Sequence, residues 1–508
     1  MVTKAPEYQG VFIVTFMVLL WVSAPLVCRG EELSRQVIKH EFKNGLVLLM
    51  VERHTSPTIS FNITYKAGSV NEQTGITGIA HLYEHMAFKG TEKIGTKNYK
   101  LEKPVLDEME KIFLQLKAQR ALGDQADSLK IKKLEEALEE LEKKGESFAV
   151  PNEIGEIYSR NGAVGFNAST GKDMTFYVVS LPSNRLSLWI TLENDRMTHP
   201  VLREFYKEKQ VVLEERRLRS ENSPNGKLYE ALLRTAFWVH PYGLPGIGWT
   251  QDIHSLSASQ TEEFFKTYYG INNIVIGIVG DIHPEQVIGE MEKTFGQIPP
   301  RPLPPPVSLL EPPQEGERRV HIEFDAKPLL TMAFHKPGAG HPDEMIFDMI
   351  DSLLSDGRTS RLYKHLVTQK QIALTVSTDA STPGAKYPDL FTVSAAPRAP
   401  HSLEVLEKAI DFELDLLKKE PVTPSEFQKM INQFDGYLVR SLESNSGLAN
   451  QLSYYEAVAG DWKYILKLRQ EMEKVKPEDI IRVAEKYFVD KNKTVATLSA
   501  PGASVKAP

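Results

Sequence analysis

The chain has 508 residues, of which 41% are hydrophobic and 25% are charged. This ordinary globular composition excludes a disordered, collagen-like or many-pass membrane protein, and the length predicts about two to four domains. The formal net charge is −7 without a long basic run, and Cys28 is the only cysteine, so the sequence indicates no nucleic-acid partner and excludes an intramolecular disulfide.

Residues 1–30 are predicted to be a targeting segment. Lys4 precedes an apolar run over residues 11–27, and the sequence turns polar immediately afterwards. This layout is typical of a secretory signal peptide and predicts export, to the periplasm or out of the cell. Because the apolar run is close to the length that spans a bilayer, an uncleaved membrane anchor over residues 11–27 is the alternative.

A strand-like run over residues 38–51 leads to a helix that carries two histidines. On a helix, His81 and His85 lie one turn apart on the same face and form a chelating pair. Glu84 lies on the same side and can reach a metal-held water without being a ligand. Two imidazoles and one oxygen donor suit zinc, which in catalytic sites takes three protein ligands and leaves a fourth position for water. The pattern therefore predicts a zinc site that needs one more ligand.

Residues 101–145 are predicted to form a charged helical hairpin. Leu134, Leu138 and Leu141 recur at helical spacing, and Gly123 marks the break between the two helices. The second half of the chain has no equivalent segment, so we interpret the hairpin as an insertion. It is expected to be a solvated arm packed on its own apolar stripe, with a partner-docking surface as the alternative.

The third metal ligand is expected on a helix that begins near Glu204. At about 100° per residue, Glu208 and Glu215 share one face with Val211, whereas Glu214 lies on the opposite face. A buried carboxylate is costly unless it is paired or binds a metal, so Glu208 and Glu215 have a physical reason to lie near zinc. Glu204 also falls near this face, and helix geometry alone does not choose the ligand.

A proline-rich linker over residues 299–316 divides the chain into two parts of similar size. Eight prolines within residues 299–313 favour an extended spacer. Each part ends with a helix end, an Asn-containing turn and a β-rich strand, starting at Tyr268 and, 219 residues later, at Tyr487. The second part also begins with a strand-like run, over residues 320–334. These repeats predict a duplicated α+β unit.

Several segments together carry a family resemblance. They cover residues 81–91, 165–177, 208–215 and 355–363. Their order resembles the pitrilysin/insulinase family of inverted-motif zinc peptidases, of the short two-domain bacterial or processing-peptidase-like type. The resemblance implies an α+β fold with two homologous α/β sandwich domains in tandem. The catalytic domain would cover residues 31–298, including the hairpin, and a non-catalytic domain would cover residues 317–508.

The resemblance also implies roles for the candidate site residues. His81, His85 and Glu215 would bind one zinc ion per chain. Glu84 would be the general base, and Glu208 would be a carboxylate that supports the site from behind the ligands.

Three further residues belong to segments that resemble the family. Asn167 and Ala168 would lie on an edge strand that pairs with an extended peptide, a β-augmentation mode that reads backbone more than side chains. A turn or strand-end position is the alternative for Asn167. His240 opens a His-Pro-Tyr-Gly segment, which we interpret as structural.

The sequence departs from the family pattern in its second half. Single-chain members carry an Arg and a Tyr, seven residues apart, that hold the substrate. Val367 and Leu374 stand at the matching positions here, and neither side chain can donate a hydrogen bond. The resemblance therefore implies the metal-bearing subunit of a homo- or heterodimer, in which a homologous subunit supplies the Arg/Tyr pair.

The sequence supports one function above two others. We expect a zinc-dependent endopeptidase that hydrolyses peptides or unfolded polypeptide segments. The alternatives are a low-activity scaffold or assembly subunit that retains the fold, and a peptide-binding chaperone. An enzyme with a serine nucleophile is disfavoured because no Gly-x-Ser-x-Gly motif occurs.

Overall fold

A computed structural model describes residues 33–502 of the chain. The leader predicted over residues 1–30, including the alternative anchor over residues 11–27, lies outside the described residues. Among residues 33–502, no helix is both long enough and apolar enough to cross a membrane.

The first half of the chain forms a six-stranded sheet. Its strands are β1 (Ile38–Glu41), β2 (Val47–Glu52), β3 (Thr58–Tyr65), β4 (Val164–Thr170), β5 (Thr175–Pro182) and β6 (Ile274–Gly280). Their order is β1-β2-β6-β3-β5-β4; β2 and β6 are parallel, and every other pair is antiparallel. The strand-like run over residues 38–51 is thus two strands and not one, because the chain reverses at Gly45, which has a φ of +87°.

The second half forms a five-stranded sheet with the same internal order. Its strands are β7 (Arg318–Glu323), β8 (Leu329–Lys336), β9 (Ala373–Thr382), β10 (Asp389–Pro397) and β11 (Lys493–Ser499). The order β7-β11-β8-β10-β9 repeats that of β2-β6-β3-β5-β4, and β7 and β11 form the parallel pair. The run over residues 320–334 likewise spans two strands. The prediction of two homologous α/β domains in tandem is confirmed.

Helices connect the strands in both halves. In the first half they are α1 (Ile79–Met86), α2 (Tyr99–Arg120), α3 (Ser128–Glu146), α4 (Glu153–Arg160), α5 (Leu186–Thr198), α6 (Phe205–Arg216), α7 (Pro224–Ala236), α8 (Thr250–Ser255), α9 (Ala258–Tyr268) and α10 (Pro284–Glu292). In the second half they are α11 (Glu344–Ser355), α12 (Leu403–Leu417), α13 (Pro424–Glu443), α14 (Asn445–Val458), α15 (Tyr464–Met472) and α16 (Pro477–Tyr487).

The repeated closing segments share one hydrogen bond. The side-chain amide of Asn273 donates to the carbonyl oxygen of Tyr268 at 2.9 Å, and the amide of Asn492 donates to that of Tyr487, also at 2.9 Å. In each half this bond closes the turn between the last helix and the strand that enters the sheet. The Asn in the repeated turn therefore has the same structural role in both halves.

Each half also contributes a helix to the sheet of the other half. Helix α14 packs on β3 and β6 of the first sheet, and α7 packs on β7, β8 and β11 of the second. Gly277 in β6 allows the close approach of α14, because a Cβ there would lie 2.5 Å from the carbonyl oxygen of Ala449. This exchange of helices fixes the two halves against each other.

The helical hairpin α2–α3 packs against the first domain and is more than a solvated arm. Tyr206 of α6 donates a hydrogen bond to Glu110 of α2 at 2.5 Å, and Arg203 forms a buried ion pair with Glu102 at 3.0 Å. The apolar residues that α2 buries in the core include Val105, Met109 and Phe113. The hairpin therefore supports α6, the helix on which the third metal ligand was expected.

The proline-rich segment over residues 299–316 contains neither helix nor strand. The carboxylate of Glu311 accepts hydrogen bonds from the backbone N–H groups of Trp238, Val239 and His240 at 2.9, 2.9 and 3.1 Å. The linker is thus anchored on the first half before it enters β7.

Candidate metal centre

Helix α1 is held in place at its N-terminus. Gly78 precedes the helix with a φ of +86°, and a Cβ there would lie 2.5 Å from the carbonyl oxygen of Ile247. The carboxylate of Glu72 accepts hydrogen bonds from the backbone N–H groups of Gly78 and Ala80 at 2.8 and 2.9 Å. Because these groups would otherwise lack partners inside the helix, Glu72 fixes the start of α1.

The two histidines of α1 converge with a carboxylate at the end of α6. Nε2 of His85 lies 3.4 Å from Oε2 of Glu215, and Nε2 of His81 lies 3.7 Å from the same oxygen. The three donor atoms all lie within 4.8 Å of one another. The structure thus brings together the three residues that the family resemblance implied as metal ligands.

The dimensions of this group fit zinc. A tetrahedral zinc ion with ligands at about 2.0–2.1 Å separates neighbouring donor atoms by about 3.4 Å, which is close to the separations observed here. Burial, reinforced by the nearby His85 and Arg219, lowers the pKa of His81 to about 3. Its imidazole is therefore neutral at physiological pH, as metal binding requires. The donor set of two nitrogens and one oxygen is that of many catalytic zinc centres.

Glu208 supports the centre through His85. Its Oε1 lies 2.9 Å from Nδ1 of His85, and its Oε2 lies 2.6 Å from Nζ of Lys89. Burial would raise the pKa of Glu208, but the hydrogen bonds to His85 and Lys89 outweigh it and lower the pKa to about 2. An ionised Glu208 places the His85 proton on Nδ1, and the lone pair on Nε2 then faces Glu215.

The other glutamates of this region lie outside the donor group. Glu204 pairs with Lys89 at 3.2 Å and with Lys207 at 3.5 Å. Glu214 is exposed and pairs with Arg217. The convergence with the histidines therefore distinguishes Glu215 from Glu204, which helix geometry alone could not do.

Glu84 lies on the same helical turn as the histidines and is held by β4. Its side chain is nearly buried, and Oγ1 of Thr170 donates a hydrogen bond to its Oε2 at 2.6 Å. Burial raises the pKa of Glu84 above its ordinary value, although the bond from Thr170 opposes the increase. Sequence reasoning gave Thr170 no role. Its position two residues after Ala168, on the same strand, was the one sequence feature that could have indicated a place near the site.

The candidate peptide-binding residues lie on an edge strand. Asn167 and Ala168 belong to β4, which ends the strand order and pairs only with β5 among the described strands. Asn167 is exposed and Ala168 is buried. The turn or strand-end position considered for Asn167 is not observed, since the residue lies within the strand.

A cavity adjoins the centre on the side of Arg219. Nη1 of Arg219 lies 2.8 Å from Oε1 of Glu215. A cavity of about 240 Å³ is lined by His81, Thr170, Arg219 and Tyr229, among others. A second cavity, of about 650 Å³, shares Arg219 and Tyr229 and extends along β8, β9 and β10. Open space therefore leads from the metal centre to the second sheet, and sequence reasoning had assigned no role to Arg219 or Tyr229.

The His-Pro-Tyr-Gly segment joins the two domains. The hydroxyl of Tyr242 donates to Oδ1 of Asp173 at 2.6 Å, and Oδ2 of Asp173 accepts from the backbone N–H groups of Ala385 and Lys386 at 2.9 and 3.1 Å. Nδ1 of His240 accepts from the backbone N–H of Tyr242. These contacts are structural and bind the first domain to a loop of the second.

The positions that match the Arg and Tyr expected from single-chain relatives are apolar. Val367 packs against the core of the second domain, and Leu374, near the start of β9, is 46% exposed. Neither side chain can stabilise a developing charge with a hydrogen bond.

Two family models match the chain. The insulinase model (peptidase family M16) matches residues 47–119, which include the histidine pair, and the peptidase M16 inactive-domain model matches residues 255–434. The zinc protease PqqE of Helicobacter pylori is 29% identical over 490 residues, covering 94% of this chain and 97% of that protein. The probable mitochondrial-processing peptidase subunit beta of Arabidopsis thaliana is 22% identical over 466 residues, covering 90% of this chain and 77% of that protein.

A solved structure agrees with these matches. The crystal structure of a protease from Helicobacter pylori superimposes with a TM-score of 0.76 at 27% identity, covering 91% of this chain and 99% of that chain.

Proposed function

Because this chain belongs to the insulinase family of peptidases (family M16), we propose that it is a zinc-dependent endopeptidase. The observation that carries the proposal is the convergence of His81, His85 and Glu215 next to the carboxylate of Glu84. The zinc protease name of the Helicobacter pylori relative supports zinc as the ion. His81, His85 and Glu215 would hold it.

Glu84 is the proposed general base. When bound, zinc lowers the pKa of a water molecule toward neutrality and polarises the scissile carbonyl. Glu84 takes a proton from the attacking water and delivers it to the leaving amine. The raised pKa suits this exchange, since a carboxylate with a very low pKa would not return the proton. Thr170 holds the Glu84 carboxylate in position.

Glu208 is the proposed positioning residue of the centre. It fixes the ring orientation and tautomer of His85 through the bond to Nδ1, and Lys89 compensates its charge. The resulting chain of contacts from Lys89 through Glu208 to His85 keeps the metal-binding nitrogen aimed at Glu215.

The proposed substrates are peptides or unfolded polypeptide segments. An extended peptide would pair with β4 at Asn167 and Ala168, because the outer edge of this strand is not paired with another described strand. Such pairing reads the backbone and places little demand on the substrate sequence. The cavities lined by Arg219 and Tyr229 provide room for a chain that continues toward the second sheet.

The proposed active assembly is a dimer with a homologous subunit. Val367 and Leu374 offer no donor for the developing negative charge, and losing one such donor typically costs about 2.7 to 4 kcal/mol of transition-state stabilisation. A second homologous chain that contributes an Arg and a Tyr would restore that stabilisation. The leader predicted from the sequence over residues 1–30 supports an exported assembly, periplasmic or secreted, with retention at the membrane through residues 11–27 as the alternative.

Metal analysis combined with peptide hydrolysis tests the proposal. The wild-type protein should contain about one zinc ion at this centre per chain, and Glu84→Gln should keep that ion while losing hydrolysis by about 10²- to 10⁴-fold. Glu214→Gln is the matched control, because it removes an exposed glutamate from α6. Hydrolysis that survives Glu84→Gln, or wild-type protein that never binds zinc, would overturn the proposal.

The absence of donors at residues 367 and 374 favours one second candidate, a scaffold subunit that retains the fold with little turnover. Assaying the chain alone and mixed with a homologous subunit separates the two functions. Hydrolysis that appears or rises in the mixture supports the dimeric peptidase. Zinc binding without hydrolysis in either preparation supports the scaffold.

A further inference from the structure

A second group of histidines and carboxylates lies where the parallel strands β2 and β6 end side by side. Glu52 is the last residue of β2 and pairs in register with Gly280, the last residue of β6. His54 follows Glu52 by two residues, and His283 follows Asp281 by two residues. The same carboxylate-x-His pattern therefore occurs at the adjacent C-terminal ends of both strands.

Three potential donor atoms of this group lie close to one another. Nε2 of His54 lies 2.9 Å from Oε1 of Glu52, and Nδ1 of His283 lies 3.2 Å from the same oxygen. The three donors lie within 4.8 Å of one another. The distances of 2.9 and 3.2 Å are near the spacing of about 3.4 Å between donors of a tetrahedral zinc ion.

Asp281 orients one of the two rings. Its Oδ1 lies 2.6 Å from Nδ1 of His54, so Nε2 of that ring faces Glu52 and His283. A metal-binding histidine typically contacts a carboxylate through its other nitrogen. Asp281 thus contacts Nδ1 of His54 in the same way that Glu208 contacts Nδ1 of His85.

The backbone around the group is fixed and touches the second domain. The backbone N–H of Arg53 donates to the carbonyl of Gly280 at 2.7 Å, and its guanidinium donates to the carbonyls of Leu442 and Glu443, each at 3.1 Å. The positive charge of Arg53 is therefore directed at the C-terminal end of α13. Arg53 therefore does not neutralise Glu52 and Asp281, and the negative charge of these two carboxylates attracts a cation.

We propose that Glu52, His54 and His283 form a second binding site for a divalent transition-metal ion of the zinc type. A donor set of two imidazole nitrogens and one carboxylate oxygen favours zinc over calcium or magnesium, which prefer oxygen ligands. All three side chains are exposed, so the ion exchanges with solvent. A bound ion ties the end of β2 to the start of α10, beside the contact of Arg53 with the second domain, and stabilises this edge of the joint.

Zinc binding to the full chain, in a variant that lacks His81 and His85, tests the proposal. In the His81→Ala/His85→Ala background, dialysis against Zn²⁺ should still leave about one ion per chain, and Zn²⁺ should raise the melting temperature by about 2 °C or more. Adding His54→Ala and His283→Ala should abolish both effects. Asp281→Asn, which weakens only the orientation of His54, should reduce the affinity by about 10-fold or more.

His199→Ala is the matched control, because it removes an exposed histidine that lies near a single carboxylate, Asp195. This variant should keep the ion and the thermal shift in the same background. The proposal is overturned if the background variant binds no Zn²⁺, or if binding persists without His54 and His283. In protein that keeps His81 and His85, the His54→Ala/His283→Ala substitutions should leave peptide hydrolysis unchanged.

Discussion

The carboxylate of Glu208 contacts Nδ1 of His85 at 2.9 Å, on the side of the ring away from the Nε2 atom that faces Glu215. Both glutamates belong to α6 and are seven residues apart, so they share one face of the helix. Helix α6 thus supplies both Glu215, the third donor, and Glu208, the carboxylate that orients His85. Small changes in α6 should therefore affect metal binding at two points.

Glu208→Gln should weaken zinc binding by about 10- to 100-fold. The neutral amide cannot stabilise the proton on His85 Nδ1 as strongly, and it leaves Lys89 without its 2.6 Å partner. Competition with a chromophoric chelator measures the affinity. Glu214→Gln, on the exposed face of the same helix, should bind zinc as the wild type does; equal affinities for the two variants would contradict the role of Glu208.

Thr170→Val should shift the acid limb of the pH–rate profile to higher pH. The hydroxyl of Thr170 stabilises the ionised form of Glu84, so its removal raises the pKa of Glu84 further. A general base works in its deprotonated form, and activity is then lost at a higher pH as the solution is acidified. The pH dependence of kcat/KM for peptide hydrolysis measures the shift. Ser169→Ala, at the exposed neighbouring position, should leave the profile in place.

For α6, the sequence indicated which side chains share a face, but not which of them are buried or what they contact. Glu208 and Glu215 lie 2.9 and 3.4 Å from the two ring nitrogens of His85, but Val211, assigned to the same face, is 47% exposed. Lys209 and Arg216 of the same helix are buried although both side chains are charged. Helical periodicity gives the direction of a side chain and not what lies opposite it. The partners of Lys209 are the carbonyls of His254 and Leu256, which only the tertiary structure brings to α6.

Contacts between distant segments account for most of what the sequence could not predict. Local pattern identified the histidine pair, the repeat and the hairpin, because each has a periodicity or motif of its own. The group at Glu52 and His283 depends on residues 231 positions apart, one at the end of β2 and the other three residues past the end of its partner strand β6. The joint of Tyr242 with Asp173 likewise depends on how a loop of the second domain folds back. No local signal specifies such pairings.

Tyr242→Phe should lower the free energy of unfolding by about 1 to 3 kcal/mol. The substitution removes the donor to Oδ1 of Asp173, a buried carboxylate that would then lose one of its hydrogen bonds at the domain joint. Chemical denaturation measures the change. Tyr437→Phe, at a half-exposed tyrosine, is the control and should change the stability by no more than about 0.5 kcal/mol. Similar losses for both variants would count against a special role for the Tyr242 bond.

Phe113→Ala should destabilise the protein by about 3 to 5 kcal/mol. Phe113 lies in α2 of the hairpin and is 4% exposed, and its ring contacts that of Tyr206 of α6 in a tilted arrangement with ring centroids 4.5 Å apart. Leu129→Ala, in α3 of the same hairpin, should have almost no effect because Leu129 is 72% exposed. Thermal denaturation compares the two variants. A small effect of Phe113→Ala would show that the hairpin is an independent arm.

Glu426 should make the stability of the second domain depend on acid pH. The two carboxylate oxygens of Glu426 accept from Arg361 at 2.8 and 2.9 Å, and one also accepts from the backbone and hydroxyl of Thr423. Arg361, and then Thr423, hold the pKa of Glu426 at about 2, below its ordinary value of 4.5. A carboxylate with a depressed pKa in the folded state stabilises the protein above the pKa of the unfolded state. This contribution is lost as the pH falls from about 4.5 to about 2.

Glu426→Gln should therefore lower the free energy of unfolding by about 1 to 2 kcal/mol at pH 7, a value reduced for the partial exposure of the side chain to solvent. The difference from the wild type should shrink as the pH is lowered, because protonation removes the same charge from the native residue. Urea titrations at pH 7 and near pH 3 measure both differences. Glu420→Gln, at an exposed glutamate six residues earlier, should show neither the loss nor the pH dependence. A deficit of Glu426→Gln that is the same at both pH values would mean that shape, and not charge, is what Arg361 recognises.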